Sequence, residues 1–248
     1  MKTNLVVRFL GAGDAFGSGG RLQTCIHVES SSQRFLIDCG ASAMVGMRAN
    51  GVDPDAIDAI VLTHFHGDHC AGVAFLLVHA MAVSRRTRPL VIAGPVGTEH
   101  HINRLLEVLF PGSAPLKPRF QLDYVELEHR VAAQFRGITV KSWPALHVPE
   151  TRPSIVRVTH ADRSLVYTGD TGWTEDLVEA CDGADLLIAE CYLDQTPTRT
   201  HLTHDLLMAN RQRLTVAAMV LTHASDEILR MHDGLGAALA FDGMAIHV

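Results

Sequence analysis

A six-residue turn, His64–His69, carries four side chains that bind divalent metal ions in proteins. Imidazole nitrogens and carboxylate oxygens are donors that zinc and other first-row ions accept. His64 and His66 are two positions apart and can converge on one ion. Asp68 and His69 follow a glycine, which permits a sharp reversal, so this second pair can face another ion. The turn therefore predicts a dinuclear metal site; the alternative is a polar loop that happens to be rich in histidine.

Strand-like segments must position these donors. The apolar run 58–62 precedes the turn, and the apolar stretch 72–77 after it is typical of a buried helix. Three further donors follow other strand-like runs, at 137–143, 164–168 and 217–221; they are His147, Asp170 and His223. A donor at the end of a strand is held by a rigid element and still faces an open edge, which suits a catalytic metal site.

Together these motifs resemble the metallo-β-lactamase superfamily over nearly the whole chain. The resemblance implies a four-layer αββα sandwich and a ligand set for two ions. The residues matching His64, His66 and His147 bind the first ion, those matching Asp68, His69 and His223 bind the second, and Asp170 bridges both. Asp170 stands where the β-lactamases proper have Cys, and His66 stands where the di-iron flavoprotein branch has an acidic residue.

Further motifs are similar to the ribonuclease Z-like group of this superfamily. They are Phe9–Ala15, Phe35–Gly40, Asp185–Glu190 and His201–Thr203. By this resemblance His201 is the acid that serves the leaving group, Glu190 orients it, and Asp14 and Asp38 support the metal turn from below. Asp68 completes the candidate catalytic residues. One departure is Ala189, which replaces a histidine of the group.

The interval between His147 and Asp170 bears on the substrate. The tRNA-processing members insert a long arm there, whereas here only 22 residues separate the two positions, and the runs 154–159 and 164–168 predict a plain hairpin. The chain thus resembles the armless phosphodiesterases of the group, which act on small cyclic or diester phosphates.

The expected chemistry is hydrolysis. Two divalent ions, zinc or alternatively manganese, lower the pKa of a bridging water and generate the hydroxide nucleophile, while His201 protonates the leaving group. A phosphodiester is the favoured substrate. The alternatives are a carboxylic ester, lactone, thioester or sulfate ester on the same metal site, a tRNA 3′ endonuclease, and a non-catalytic metal-binding scaffold, to which Ala189 points.

Composition agrees with a compact soluble enzyme. The candidate ligands run from His64 to His223, which favours a single domain over residues 1–248. The net charge of −6 disfavours a nucleic-acid substrate, because phosphate neutralisation needs clustered Lys and Arg. Five cysteines without paired spacing, no bilayer-length apolar run and no signal pattern predict a cytoplasmic protein without membrane association. We further expect a homodimer.

The coarse secondary structure alternates strands and helices. Strands are predicted at 4–10, 24–29, 34–38, 58–62, 89–93, 120–127, 130–142, 154–159, 164–168, 185–190, 216–221 and 244–248. Helices are predicted at 41–50, 72–83, 97–110, 174–181, 203–213 and 225–232. The basic cluster Arg85, Arg86 and Arg88 is interpreted as a solvated loop, with a phosphate-docking patch as the alternative. The loop 111–118 either borders the active site or only connects its neighbours.

Overall fold

Two seven-stranded sheets pack against each other in the computed structural model, which describes residues 3–113, 116–195, 198–231 and 234–248. The strands are β1 (Val6–Gly11), β2 (Cys25–Glu29), β3 (Arg34–Ile37), β4 (Ala59–Val61), β5 (Leu90–Pro95), β6 (Leu122–Leu127), β7 (Ala132–Phe135), β8 (Ile138–Pro144), β9 (Ser154–His160), β10 (Arg163–Tyr167), β11 (Ala184–Glu190), β12 (Val216–Thr222), β13 (Ala238–Leu239) and β14 (Ala245–His247). The first sheet has the order β14-β1-β2-β3-β4-β5-β6, and the second β13-β12-β11-β10-β9-β8-β7.

Helices cover the outer face of each sheet. They are α1 (Ala43–Ala49), α2 (Gly67–Cys70), α3 (Gly72–Val78), α4 (Thr98–Leu109), α5 (Glu175–Cys181), α6 (His204–Ala209) and α7 (Asp226–Leu229). The first four belong with the first sheet and the last three with the second. No helix in the described part of the chain is both long enough and apolar enough to cross a lipid bilayer.

The alternation of side chains along each strand builds three apolar layers. On β3, Phe35 and Ile37 face the second sheet, whereas Leu36 faces the helices and packs in one cluster with Met47 of α1. The second sheet repeats this arrangement, with Leu187 on its helical face. The central parallel strands β4 and β5 are buried on both faces, and so their sequences lack charged residues. The layering confirms the predicted αββα architecture.

The predicted strand 130–142 is wrong as a single element. The structure has two strands there, β7 and β8, which pair antiparallel with Phe135 opposite Ile138. Gly137, with φ 71°, makes the turn between them. Alternation of apolar and polar residues continues through such a tight turn, so periodicity alone does not locate it.

The interval between His147 and Asp170 contains a plain hairpin, as the sequence predicts. Strands β9 and β10 pair antiparallel; β9 ends at His160 and β10 begins at Arg163, which lies opposite it. All residues of this interval are described, and an inserted arm is absent from it.

The basic cluster differs from the predicted solvated loop at Arg86. Its side chain is buried, and the guanidinium donates to the carbonyl oxygens of Pro54 at 3.1 Å and Pro89 at 2.8 Å. The exposed Arg88 pairs with Asp58 at 2.6 Å. Because its donors are used by backbone carbonyls, Arg86 fixes the entry to β5 and is unavailable for phosphate docking.

The loop 111–118 lies on the helical side of the first sheet. Residues 114 and 115 are outside the described residues, as is residue 232 at the end of the last predicted helix. Ser113, Leu116 and Lys117 line a cavity of about 350 Å³ with residues of α3, α4 and β6. No candidate ligand lines this cavity, so these residues of the loop connect α4 to β6.

The C-terminal segment closes the first sheet. Strand β14 pairs antiparallel with β1, with Val6 opposite His247. Just before it, the two carboxylate oxygens of Asp242 accept hydrogen bonds from the backbone N–H groups of Ala12 and Leu22, at 2.9 and 2.8 Å. Asp242 thereby holds both ends of the loop between β1 and β2.

Candidate metal centre

The seven candidate ligands come from both sheets and meet at one edge. In the second sheet β8, β10 and β12 run in the same direction, so their carboxyl ends lie at the same edge. These ends lead to His147, Asp170 and His223. Strand β4 of the first sheet leads to the turn His64–His69 and into α2. The structure brings all seven side chains into two overlapping groups that could each hold an ion.

The first group contains three imidazoles. Nδ1 of His66 lies 3.2 Å from Nε2 of His64 and 3.1 Å from Nε2 of His147. One proton on His66 can serve only one of these two contacts, so hydrogen bonding alone does not account for the cluster. Two donors on a tetrahedral ion at ~2.0–2.1 Å are separated by about 3.3 Å, which these distances match.

The second group contains a carboxylate and two imidazoles. Oδ2 of Asp68 lies 3.1 Å from Nε2 of His69 and 3.3 Å from Nε2 of His223. Both rings are almost fully buried. These three donors and Asp170 lie close enough together to hold one ion.

Asp170 lies between the two groups, with one oxygen directed at each. Oδ2 is 3.9 Å from Nε2 of His64 and 3.8 Å from Nε2 of His147. Oδ1 is 3.2 Å from Nε2 of His69 and 3.6 Å from Nε2 of His223. A carboxylate with its two oxygens divided in this way can bridge two ions.

The polar atoms of the centre fit bound cations. Nε2 of His69 and Oδ1 of Asp170 are buried without a hydrogen-bond partner among the described residues, an arrangement that is costly unless another group satisfies them. Burial alone would raise the pKa of Asp170, but His223 and His69 hold it well below its usual range. Burial lowers the pKa of His64 well below its usual value, so its imidazole is neutral and able to coordinate.

Glycine 169 permits the close approach of the two sheets next to Asp170. Its φ is 55°, and a Cβ there would lie 2.9 Å from Cβ of Thr63, directly before the metal turn. His223 has the same φ of 55° although it carries a side chain. A non-glycine residue in this region is strained, and such residues cluster at functional sites.

Asp38 supports the metal turn from below, as the resemblance implies. Its Oδ2 accepts from Nδ1 of His69 at 2.6 Å and from the hydroxyl of Thr63 at 2.7 Å, and its Oδ1 accepts from the Thr63 N–H at 2.8 Å. The bond to Nδ1 fixes the tautomer that leaves Nε2 of His69 as the coordinating atom.

We expect Asp38→Ala to lower metal affinity by about 10- to 100-fold, because His69 loses the partner that orients its ring. Competition for zinc with a chromophoric chelator measures this change. Asp58→Ala is the matched control, since Asp58 lies at the opposite end of β4. Equal affinities of the Asp38 and Asp58 variants would contradict the role given to Asp38.

Asp14 does not share this role. Its carboxylate accepts hydrogen bonds from the N–H groups of Phe16 and Ser18, at 3.2 and 2.9 Å, and from the Ser18 hydroxyl at 2.7 Å. The expectation that Asp14 supports the metal turn is therefore wrong: it shapes the loop that contains Phe16.

The candidate acid lies beside the two groups. Nδ1 of His201 is 2.8 Å from Oε2 of Glu190 and 4.0 Å from Oδ2 of Asp170. Glu190 is completely buried at the end of β11, and its other oxygen accepts from the N–H of Thr171. A carboxylate fixed at both oxygens can in turn fix the orientation of the imidazole.

The substitution at Ala189 leaves this pair intact. Adjacent residues of a strand point to opposite faces, and Ala189 is buried in the apolar layer on the helical side of the second sheet. Glu190 points to the other side and bonds to His201. The position at which the chain departs from the ribonuclease Z-like pattern therefore does not contribute to the contact between acid and carboxylate.

Three features of the site were missed in the sequence. A cavity of about 140 Å³ is lined by five of the seven candidate ligands and by His201. Phe16 and Tyr192, the first two missed features, also line it. The carbonyl of Thr200 accepts from Nδ1 of His147 at 2.8 Å. Tyr192 could have been found because it follows the end of a predicted strand, and Phe16 because it lies next to the motif with Asp14. The contact with the carbonyl of Thr200 has no signal in the sequence.

Comparison with known proteins agrees with the fold and shows the family. A family described as "Anti-Pycsar protein Apyc1" matches residues 5–241. A ribonuclease Z from Mycobacterium sp. (strain KMS) is 30% identical over 190 residues, which span 73% of this chain and 67% of the relative.

Two solved structures have the same fold. The metallo-β-lactamase fold protein YhfI from Bacillus subtilis superimposes with a TM-score of 0.79 at 18% identity, with all of both chains covered. A diphosphatase from the PhnP family gives a TM-score of 0.76 at 23% identity, covering 98% of this chain and 97% of that one.

Proposed function

Because this chain belongs to the Apyc1 family of anti-Pycsar proteins within the ribonuclease Z-like metallo-β-lactamase superfamily, we propose that this metal-dependent hydrolase cleaves a small phosphodiester. The proposed cofactor is a pair of divalent ions, favoured as zinc, held by His64, His66, Asp68, His69, His147, Asp170 and His223.

The contact between His201 and Glu190 carries this proposal. Thioesters and lactones have leaving groups that need little help or stay tethered, whereas an alkoxide leaving a phosphodiester needs a proton. His201 lines the same cavity as the ligands, and the 2.8 Å bond from its Nδ1 to Glu190 leaves Nε2 as the nitrogen that can deliver a proton. An acid at this position is what phosphodiester cleavage requires.

Each residue of the site has a distinct role in the proposed reaction. The bound ions would supply Lewis acidity to a water molecule and to the phosphate. Asp68 and Asp170 hold the negative charge that keeps the cations in place. Burial lowers the pKa of His201, although Asp170 opposes the shift, and this makes its protonated form a stronger acid. Glu190 accepts the hydrogen bond from Nδ1 of His201 and fixes the orientation of the ring.

A tRNA 3′ endonuclease is the second candidate, because the Mycobacterium relative is called a ribonuclease Z. Two observations argue against it. The hairpin β9–β10 occupies the interval in which an arm would be inserted. The net charge of −6 also disfavours broad contact with a phosphate backbone.

The test is a substrate panel with zinc-loaded and manganese-loaded protein. We expect turnover of bis(p-nitrophenyl) phosphate well above that of a thioester, an aryl sulfate or a precursor tRNA. His69→Ala should abolish the activity, since His69 contributes a donor to the second ion, and the exposed His100 provides His100→Ala as the control. Absence of phosphodiester turnover in metal-replete protein would rule out the proposal.

A further inference from the structure

Phe16 is the most exposed large apolar side chain in the described part of the chain, at 85%. Single exposed apolar residues are common and need no explanation by themselves. Phe16 differs because it lines the cavity that contains Asp68, Asp170 and His223. Phe16 is therefore widely exposed to solvent and also borders the cavity of the candidate metal centre.

The loop around Phe16 holds the backbone of this residue at a fixed position. The carboxylate of Asp14 binds the N–H groups at both ends of the segment Phe16–Ser18, and Gly17 turns the backbone with φ 74°. The carbonyl of Ala15 accepts from Nε2 of Gln23 at 3.1 Å. Since the backbone is tied on both sides of Phe16, only the two side-chain torsions of this residue remain to be ordered on binding.

An aromatic ring held open beside charged donors suits one kind of ligand group. A planar unsaturated ring of a ligand can stack on the phenyl ring, which removes apolar surface of both rings from water. The phosphate of the same ligand would then lie against the polar residues of the cavity. We propose that Phe16 is a specificity-determining residue that stacks on a planar ring of the substrate while the ester phosphate lies at the metal centre. This inference rests on the proposed function.

Tyr192 lies on the wall that carries the acid. Its ring centroid is 4.8 Å from that of His201 and 5.9 Å from that of His223. A change at Tyr192 would therefore disturb the acid and a ligand together with any substrate contact. Phe16 offers the cleaner test, because its loop is held by Asp14 and Gln23, and neither is a candidate ligand.

The experiment measures binding of two phosphonates to zinc-loaded protein by calorimetry. Phenylphosphonate and methylphosphonate present the same anion and differ in the ring. We expect Phe16→Ala to weaken phenylphosphonate roughly three- to ten-fold more than methylphosphonate, the range for one contact between aromatic rings. Phe16→Tyr should restore the preference, and Phe16→Leu should restore it only in part, because leucine is apolar but not planar.

Phe241→Ala is the matched control, since Phe241 is also exposed, at 55%, and does not line the site cavity. The inference would be overturned if the ratio of the two dissociation constants in Phe16→Ala equalled that of wild type, whether neither ligand was weakened or both were weakened equally. Failure of the proposed function would give a different result. Wild-type protein would then still prefer phenylphosphonate over methylphosphonate, but it would not turn over phosphodiesters.

Discussion

Asp170→Ala should weaken the binding of both ions and lower phosphodiester turnover by at least ~10³-fold. The ions supply several kcal/mol of charge stabilisation in the transition state, and this depends on the carboxylate of Asp170 that would bind both of them. The two oxygens of Asp170 face different groups of imidazoles, so this residue is the only described candidate ligand shared by both. Elemental analysis after saturating reconstitution should give close to two divalent ions per chain for wild type and at most one for the variant.

Two controls separate this effect from misfolding. Asp123→Ala removes an exposed carboxylate on β6 that bonds to Gln121, and it should retain both ions. Asp170→Asn keeps the shape and loses the charge, and it should bind metal more weakly than wild type while unfolding cooperatively. If Asp170→Ala kept both ions and full activity, the assignment of Asp170 as bridging ligand would be wrong.

His201→Ala should retain both ions yet lower kcat by ~10²–10⁴-fold, the usual effect of losing a general acid. The deficit should be largest with an alkyl alkoxide leaving group and should shrink with p-nitrophenolate, which departs without a proton. Rates for a series of leaving groups of increasing pKa, measured for wild type and variant, provide the comparison. His100→Ala serves as the control, because His100 is exposed on α4.

Glu190→Gln should give a weaker version of the same dependence. The two oxygens of Glu190 accept from His201 and from the N–H of Thr171, whereas an amide has only one acceptor oxygen. The variant therefore orients the ring less well but leaves the proton on the imidazole. A flat leaving-group profile for His201→Ala, relative to wild type, would remove His201 from the mechanism and leave the metal centre unaffected.

The metal turn was predictable because its information is local. Four donors within six residues, between an apolar strand and an apolar helix, restrict both the chemistry and the backbone. The distant donors His147, Asp170 and His223 were predictable because each follows a strand, and the carboxyl ends of strands running the same way meet at one edge. The four-layer αββα architecture was predictable from the resemblance to the metallo-β-lactamase superfamily, with which two strand-rich halves and interspersed helices agree.

Other features depend on contacts between distant residues and have no local signal. Arg86 is buried because carbonyls at the start of β5 and before β4 need donors, which a count of charges does not reveal. Asp14 binds its own loop, although the resemblance placed it under the metal turn. The split of 130–142 at Gly137 required the pairing partners of both strands.

The position of Asp242 affects how the protein matures during synthesis. Asp242 and β14 are made after every candidate ligand, yet they hold both ends of the loop with Phe16 and cover the edge of β1. While the ribosome still retains this segment, β1 has an unpaired edge, which is prone to pairing with other chains. Until this segment is in place, neither the edge of β1 nor the loop beside the candidate ligands is anchored.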